Sequence, residues 1–488
     1  MNLASQRHAA RLTGLVLLVA MLGACLSEKP SYIAPPLAMP AQWQQGSASV
    51  SMLEGFALFQ EESLTRLQQR ALASNQDLQV AMLRLAQSRL QRSAVALQSQ
   101  PQVAASGSAG AQRQSETGSA TRLISAISPP DQSRHLIDFI SEPYELFQAG
   151  FDASWELDLW GRVSNSVDAA DARVAMAEAT VAQWQLGLMA EVARHYFELR
   201  GTQNQVLLLQ QDVARNDTIL RLLQAREHAG LDNALERAEQ EALLTDLRRR
   251  EAVLQEQQSR SFNALGLLLG EVPGSLESEL SARQPWTMTA LPDLALGVPS
   301  DVVNTRPDIQ ASEARLREAT AHIGIAQADL YPRITLGAGL GLETLESAEL
   351  LDWGSRQWSV GPRFSLPLFD QGRRKTTVQL RELQQQEAAI AYQQVVLNAW
   401  HEVENALARY GAERQQRTEL LAKLAHQEQT LRLARANVRN GLSNALVALK
   451  LEQAVANVQN QLSQSDTRQA VNMVVLFKAL GRTHINNL

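Results

Sequence analysis

The stretch FDASWELDLWGR, residues 151–162, alternates apolar and polar side chains with a period of two. Phe151, Ala153, Trp155, Leu157 and Leu159 are apolar, and the residues between them as far as Asp158 are acids and a serine. Successive side chains of a β-strand point to opposite faces, so this pattern predicts a strand with one apolar and one polar face. The fold depends on what each face contacts.

Three further segments show the same alternation, near residues 103–109, 334–342 and 358–368. Alternation over about ten residues is typical of membrane β-barrels, although a soluble sandwich produces the same pattern. Aromatic residues favour the membrane, because they lie toward both ends of the strands, as at two membrane interfaces. The predicted interface aromatics are Phe147, Trp155, Trp160, Tyr331, Trp358, Phe364 and Phe369. The predicted lumen-facing residues of the barrel are Asp152, Ser154, Glu156, Asp158 and Arg363.

The N-terminal segment indicates export. Arg7 and Arg11 precede an apolar run from Leu12 to Ala24 that is too short to span a bilayer, so residues 1–24 are expected to be a signal peptide. The run ends in Leu22-Gly23-Ala24-Cys25, which resembles the lipobox of bacterial lipoproteins. We therefore expect a covalent lipid on Cys25, the only cysteine, followed by an extended, proline-bearing segment over residues 25–52.

An internal repeat organises the rest of the chain. Pro101 and Gly110 recur as Pro332 and Gly341, 231 positions later, whereas Trp160 recurs as Phe369 after 209. These offsets place a longer loop in the first copy, from about Ala111 to Pro143. The predicted divisions are a first repeat over 53–269, a connector over 270–307, a second repeat over 308–481 and a tail over 482–488.

Each repeat is predicted to contain a helix, two strands and a long helical hairpin. The first helix is expected over residues 53–99. The segment from Val163 to Glu227 has no proline, so it can form one helix of about 65 residues, or roughly 95 Å. Gly230 ends this helix, and Asn233 to Leu269 returns antiparallel. In the second repeat the hairpin runs from Arg374 to Arg439, turns at Gly441 and returns to Leu480.

Four strands are too few to close a membrane barrel, and an open strand edge is not stable in lipid. Copies of the chain must therefore share one barrel of eight, twelve or sixteen strands. We classify the protein as a mixed α+β membrane protein in which long helical hairpins and a shared transmembrane β-barrel coexist.

Several blocks make the chain similar to the outer membrane factor family, the TolC-like ducts of tripartite efflux pumps and type I secretion systems, in its lipoprotein branch. The blocks that carry this resemblance are residues 155–162, 306–309, 326–334 and 366–373. The resemblance implies a homotrimer with a twelve-stranded barrel in the Gram-negative outer membrane and a periplasmic α-barrel of twelve helices. It also implies a periplasmic adaptor and an inner-membrane pump of the resistance-nodulation-division type as partners.

By the same resemblance, the hairpin turns form a periplasmic gate and adaptor contact. The matching positions are Glu227, His228, Gly230, Asp232, Asn233, Arg439, Asn440, Gly441, Ser443 and Asn444. Relatives often carry aspartates in the second turn that bind cations, whereas this chain has Ser443 and Lys450, which leaves a cation-bound gate open. An alternative explanation is ordinary helix capping by the glycines and by the polar residues that follow them.

Other functions have little support. The net charge of -6 gives no basic surface for nucleic acid. The chain contains neither an HExxH pair nor a GxxxxGK[ST] loop, so we expect no metal site, no cofactor besides the lipid and no enzyme activity. Small-molecule efflux is the favoured function. The alternatives are a duct for type I protein secretion and, in a different class, a periplasmic coiled-coil adaptor or a structural lipoprotein.

Overall fold

The computed structural model describes residues 55–231, 234–281 and 305–481, together with residues 35, 43, 286, 302 and 303. Long helices alternate with four strands along the chain. The elements are α1 (Glu62–Ser74), α2 (Gln76–Ala96), β1 (Gln102–Gln112), α3 (Ser119–Ile127), α4 (Pro130–Ser141), β2 (Tyr144–Glu156), α5 (Arg162–His228), α6 (Ala234–Leu268), α7 (Glu277–Leu280), α8 (Pro307–Ala328), β3 (Arg333–Thr344), β4 (Arg356–Ser365), α9 (Arg373–Arg439) and α10 (Ala445–Ala479).

The four strands form one antiparallel sheet in the order β1-β2-β3-β4. Consecutive strands pair throughout, including β2 with β3, which come from different halves of the chain. The pairing keeps residues of the same polarity together. For example, Phe151 lies opposite Ala105 on one side and Leu340 on the other. The predicted alternation therefore extends across the whole sheet.

Two helical hairpins follow the strand pairs. Helices α5 and α9 each contain 67 residues, and the return helices α6 and α10 each contain 35. Their ends lie within one residue of the predicted ends, because glycine turns mark one terminus and the alternating strands mark the other. The equal lengths are what two copies of one unit would have.

The chain divides into two compact units, each built from both halves of the sequence. One unit includes residues 88–174 and 316–388 and contains the sheet and the first turns of α5 and α9. The other includes residues 34–87, 175–315 and 389–488 and contains the rest of the hairpins. The main hydrophobic core belongs to the second unit, where Leu67, Tyr196, Phe197, Leu265 and Phe477 are almost fully buried. Sequence repeats and spatial units therefore divide the chain differently.

The structure differs from the predicted elements in three respects. The first helix is broken at Asn75, whose backbone is extended and whose side-chain oxygen accepts a hydrogen bond from the Leu78 amide at 3.0 Å. The predicted loop from Ala111 to Pro143 contains the helices α3 and α4. Finally, β2 ends at Glu156 and β4 at Ser365, before the last alternating residues of each segment.

Candidate channel surface and hairpin tips

One face of the sheet is apolar and lacks cover from the part of the chain that the structure describes. Phe151, Leu340 and Trp358 are 59%, 60% and 76% exposed, although they lie in one row across three strands. Val360 and Val103 belong to the adjacent row and are similarly exposed. A contiguous apolar surface of this kind suits lipid chains on the outside of a barrel.

The opposite face is polar and lines a groove with a volume of about 460 Å³. Ser106 Oγ donates to Asp152 at 3.3 Å, and Gln148 Nε2 donates to Glu343 at 2.7 Å. Ser154 lies on the same face, opposite Gly337. The predicted lumen-facing residues Asp152 and Ser154 therefore lie on this polar face, and Asp152 bonds to the neighbouring strand across it.

Glycines line the centre of this polar face. A Cβ added at Gly150 would lie 2.9 Å from both Gly341 Cα and the Leu340 carbonyl oxygen. A Cβ at Gly341 would lie 3.2 Å from the Ala149 carbonyl oxygen. The facing pair Gly150 and Gly341 therefore permits a close approach of β2 and β3 that larger residues would prevent.

The junction between β2 and α5 corrects one predicted site residue. Asp158 lies beyond the end of β2, and its two carboxylate oxygens accept hydrogen bonds from the amides of Val163 and Ser164 at 2.8 and 2.7 Å. It therefore satisfies free amides at the first turn of α5, and its assignment to a lumen-facing strand position is wrong.

Glu156, the last residue of β2, has a partner within the chain. Both of its carboxylate oxygens accept from Arg162, from Nε and from a terminal nitrogen, each at 2.7 Å. Glu156 also lies in one row with Thr335 and the exposed Arg363. Glu156 therefore joins the end of the strand to the start of the helix, while Arg363 stays on the polar face as predicted.

The predicted interface aromatics lie at two levels of the sheet. At the helix-side end, Trp160 stacks on Tyr331 with ring centroids 4.9 Å apart and donates from Nε1 to the Pro332 carbonyl at 2.7 Å. Trp155 donates from Nε1 to the Ser99 carbonyl at 2.8 Å, and the exposed residues Phe364 and Phe369 follow along β4 and beyond it. Phe147 and Trp358 lie nearer the other end.

The hairpin tips have the same backbone geometry in both copies. Gly230 and Gly441 have φ of 74° and 70°. The Gly230 amide donates to the Glu227 carbonyl, and the Leu231 amide donates to the Arg226 carbonyl, both at 2.9 Å. Gly441 and Leu442 make the equivalent bonds. Each glycine thus occupies the left-handed position that closes a helix, as the capping interpretation expected.

Other predicted tip residues have mixed positions. Asn444 caps α10 by accepting from the Leu446 amide at 3.0 Å. Glu227 pairs with Arg237 across the first hairpin at 2.9 Å. Ser443 is partly buried. The other side chains are exposed, namely those of His228, Arg439, Asn440 and Lys450. Leu231 and Leu442 are 67% and 76% exposed. Asp232, Asn233 and the lipidation candidate Cys25 lie outside the described residues.

A buried polar network between the first hairpin and α10 was not predicted. Asn216, which is 1% exposed, donates from Nδ2 to Gln453 at 2.9 Å, while Gln240 donates to its side-chain oxygen at 2.9 Å. Asn460 donates to Asp212 at 3.1 Å, and Asp212 is 3% exposed. The sequence signal for this network is the polar residues at positions of the helices that face a neighbouring helix. The sequence does not show which helices are neighbours.

The segment around Arg306 has a structural role. The Arg306 guanidinium is buried and donates to Asp308, to Glu402 at 2.8 Å and to the Ala479 carbonyl at 2.7 Å. Burial opposes its charge, but the bonds to Asp308 and Glu402 outweigh this cost and raise the pKa of Arg306. Arg306 therefore fastens the start of α8 to the end of α10.

Across the described ranges, no three or more histidine, cysteine or acidic side chains are arranged to hold a metal ion. In the same ranges, every helix is too short or too polar to cross a bilayer.

Comparison with known proteins identifies the family. The family model described as outer membrane efflux protein matches residues 67–271 and 298–482, which is most of the chain. The chain belongs to the outer membrane efflux protein family. Membership makes it an outer membrane protein of the transport class rather than an enzyme class.

Individual family members agree along nearly their whole length. The outer membrane protein OprJ of Pseudomonas aeruginosa is 30% identical over 471 residues, which cover 95% of this chain and 94% of OprJ. The solvent efflux pump outer membrane protein SrpC of Pseudomonas putida is 28% identical over 471 residues, which cover 94% of this chain and 96% of SrpC. The solved structure of the outer-membrane channel OprN superposes with a TM-score of 0.80 at 27% identity, covering 93% of this chain and 98% of OprN. The fold is therefore that of the TolC-like outer membrane channels.

Proposed function

We propose that this protein is the outer membrane exit duct of a tripartite efflux system and conducts small toxic molecules passively to the exterior. The observation that carries this proposal is the sheet, which exposes an apolar face on one side and a polar, grooved face on the other. A duct needs a water-filled path and a gate, whereas a pump elsewhere supplies the energy. The polar face supplies the lining of that path.

Closure of the path requires further copies. Within the described residues, β1 and β4 each pair with one neighbour only, so the sheet has two open edges. Open edges are not stable in lipid, and four strands cannot form a barrel alone. Three copies supply twelve strands, in agreement with the homotrimer that the family resemblance implies.

The helical hairpins supply the periplasmic part of the proposed duct. A helix of 67 residues is roughly 100 Å long at 1.5 Å per residue. Three copies supply six helices of this length and six return helices of 35 residues, and these antiparallel helices would together form the α-barrel. The equal lengths of the corresponding helices support the proposed duplication of one helix-strand-hairpin unit.

The proposed partners follow from this arrangement. The exposed leucines Leu231 and Leu442 at the two tips suit contact with a periplasmic adaptor. An inner-membrane pump of the resistance-nodulation-division type would deliver the substrates. The relative SrpC is named a solvent efflux pump component, which supports apolar small molecules as the substrate class. A lipid on Cys25 would anchor each copy to the outer membrane.

The proposal is tested by purification and by function in cells. The protein extracted in mild detergent should form threefold particles and conduct ions in a planar bilayer. A strain lacking the gene should become sensitive to organic solvents or lipophilic antibiotics, and the wild-type gene should restore resistance. Single-copy particles without conductance would contradict the duct. Unchanged resistance in the deletion strain would contradict a role in efflux.

A further inference from the structure

The open edges of the sheet carry evidence about the chain that covers them. β1 is exposed at all eleven positions, and β4 at nine of ten. The following inference rests on the proposed function, because it assumes that copies of this chain share one barrel. It concerns which residues of β4 face which residues of β1 in the next copy.

The internal repeat relates the missing contact to one that the structure contains. In the repeat, β2 corresponds to β4, whose residues lie 209 positions later, as Trp155 corresponds to Phe364. In the same way, β1 corresponds to β3, whose residues lie 231 positions later, as Gly110 corresponds to Gly341. The observed contact between β2 and β3 is therefore the template for a contact between β4 and β1 of a second copy. In the template, Phe151 lies opposite Leu340.

We propose that β4 of one copy pairs antiparallel with β1 of the next in the register that places Val360 opposite Ala109. The same register places Phe364 opposite Ala105 and Trp358 opposite Ala111. Its polar face places Arg363 opposite Ser106 and Ser359 opposite Gly110. Apolar and polar residues thus remain on their own faces across the boundary, as a lipid-facing barrel requires.

One feature of the sheet provides a competing register. In the contact between β1 and β2, Gln102 faces Ser154. The repeat offsets of 231 and 209 convert this pair into Arg333 and Arg363 in the contact between β3 and β4. In the structure, however, Arg333 faces Ser365. The pairing of β3 with β4 is therefore shifted by two residues relative to the pairing of β1 with β2. If the shift also applied at the boundary, Val360 would face Ala111 instead of Ala109.

Strand tilt decides between the two registers. One row crosses the sheet from Ala105 through Phe151 and Leu340 to Trp358. In the proposed register this row continues at Ala111 of the next copy, six positions on, which gives a shear of about 18 for three copies. For twelve strands, that shear corresponds to a tilt of about 47°, close to the usual range of 35–45°. The competing register gives a shear of about 24 and a tilt of about 55°.

Gly110 independently indicates that a strand covers β1. Its counterpart Gly341 must be small, because a Cβ there would lie 3.2 Å from the neighbouring strand. At Gly110 an added Cβ meets nothing within 4 Å in the single chain. If β4 of the adjacent copy lies beside β1 with Ser359 opposite Gly110, a neighbouring strand would explain the glycine at position 110 as it does at position 341.

The turn after β4 gives the same indication. In the first copy Trp160 stacks on Tyr331 and donates to the Pro332 carbonyl. Its counterpart Phe369 is 84% exposed, and the counterpart of Pro332 is Pro101, next to the open edge of β1. Pairing in the proposed direction brings Phe369 of one copy toward Pro101 of the next.

Disulfide cross-linking tests the register. Directly opposed residues have Cα atoms about 4.5–5.5 Å apart, within disulfide reach, whereas partners displaced by two residues lie about 7–8 Å apart. We expect the double variant Ala109→Cys with Val360→Cys to form a disulfide-linked trimer, which a reducing agent converts back to monomers on a denaturing gel. Ala111→Cys with Val360→Cys is the matched control and should cross-link several-fold less. The wild type, with Cys25 alone, should not cross-link.

A second pair, Ala105→Cys with Phe364→Cys, tests the same register at another position, so that a local folding defect at Val360 cannot decide the result. Each single-cysteine variant should migrate as a trimer in an unheated gel. Preferential cross-linking of the Ala111 control in intact trimers would overturn the register and leave the duct intact. Intact trimers that cross-link in neither pair would also overturn it. A wild type that forms no oligomer in mild detergent would instead overturn the shared barrel of the proposed function, and the register with it.

Discussion

At the scale of single residues, Glu318 shows how charge is held between helices. Its carboxylate accepts from Arg173 Nε at 2.6 Å and lies 3.5 Å from His322 Nε2, and its side chain is 17% exposed. The hydrogen bond from His322 lowers the pKa of Glu318, burial opposes the shift, and Arg173 adds to the lowering. The ionised form therefore stabilises the contact between α5 and α8.

We expect Glu318→Gln to reduce the free energy of unfolding by about 1 kcal/mol at pH 7. Because the folded pKa is lowered, the stabilisation is complete above the unfolded carboxyl pKa of about 4.3 and is lost as the pH falls through the folded value. Thermal unfolding in detergent should therefore separate the variant from the wild type at pH 7 but not in strong acid. The exposed Glu387→Gln serves as control, and a difference that persists unchanged in acid would contradict the assignment.

At the scale of elements, α5 and α10 approach each other closely at Gly201. A Cβ added there would lie 2.1 Å from Thr467 Oγ1, and Thr467 is itself held by a bond to the Ser463 carbonyl at 2.9 Å. Asn204 Nδ2 also donates to Ser463 Oγ at 2.8 Å. Small and polar residues thus set the distance between these two helices.

Gly201→Ala should destabilise the protein by about 1–3 kcal/mol, because overpacking outweighs the gain in helix propensity. Adding Thr467→Ala should recover part of the loss by removing the nearest atoms. Gly411→Ala, in α9, is the matched control, since a Cβ there meets nothing within 4 Å. Unfolding midpoints in detergent measure all three effects. Equal destabilisation by Gly201→Ala and Gly411→Ala would show that contact with Thr467 is not the cause.

The elements also show why some features were predictable. The hairpin ends agree with prediction because glycine at a helix end and period-two alternation are local signals. The break at Asn75 had the local signal of an N-cap asparagine, yet the apolar spacing on both sides continued through it. Asp158 continued the alternation of β2, but its carboxylate is more favourable at the amides of α5. For contacts between distant helices, such as Asn216 with Gln453, no local signal shows which helices meet.

At the scale of the whole molecule, those distant contacts bear on gating. Asn216 links three helices: it accepts from Gln240 in its own hairpin and donates to Gln453 in α10. Asp212 and Asn460 make a second link one turn away. A duct that opens by separating its hairpins must break these buried bonds, and each unpaired group would then have to find water. The network therefore favours the arrangement in which the first hairpin remains against α10.

Asn216→Leu removes both links of this residue and should shift the duct toward its open form. If the change costs the closed form about 1.4 kcal/mol, the ratio of open to closed rises tenfold. Planar bilayer recordings should show longer or larger openings, and cells should admit bulky antibiotics that the wild type excludes. Thr218→Ala is the control, since the exposed Thr218 hydroxyl donates to the Ala214 carbonyl and accepts from Arg221, both in its own helix. Unchanged conductance in a variant that still assembles would mean that the network stabilises the hairpins without controlling the opening.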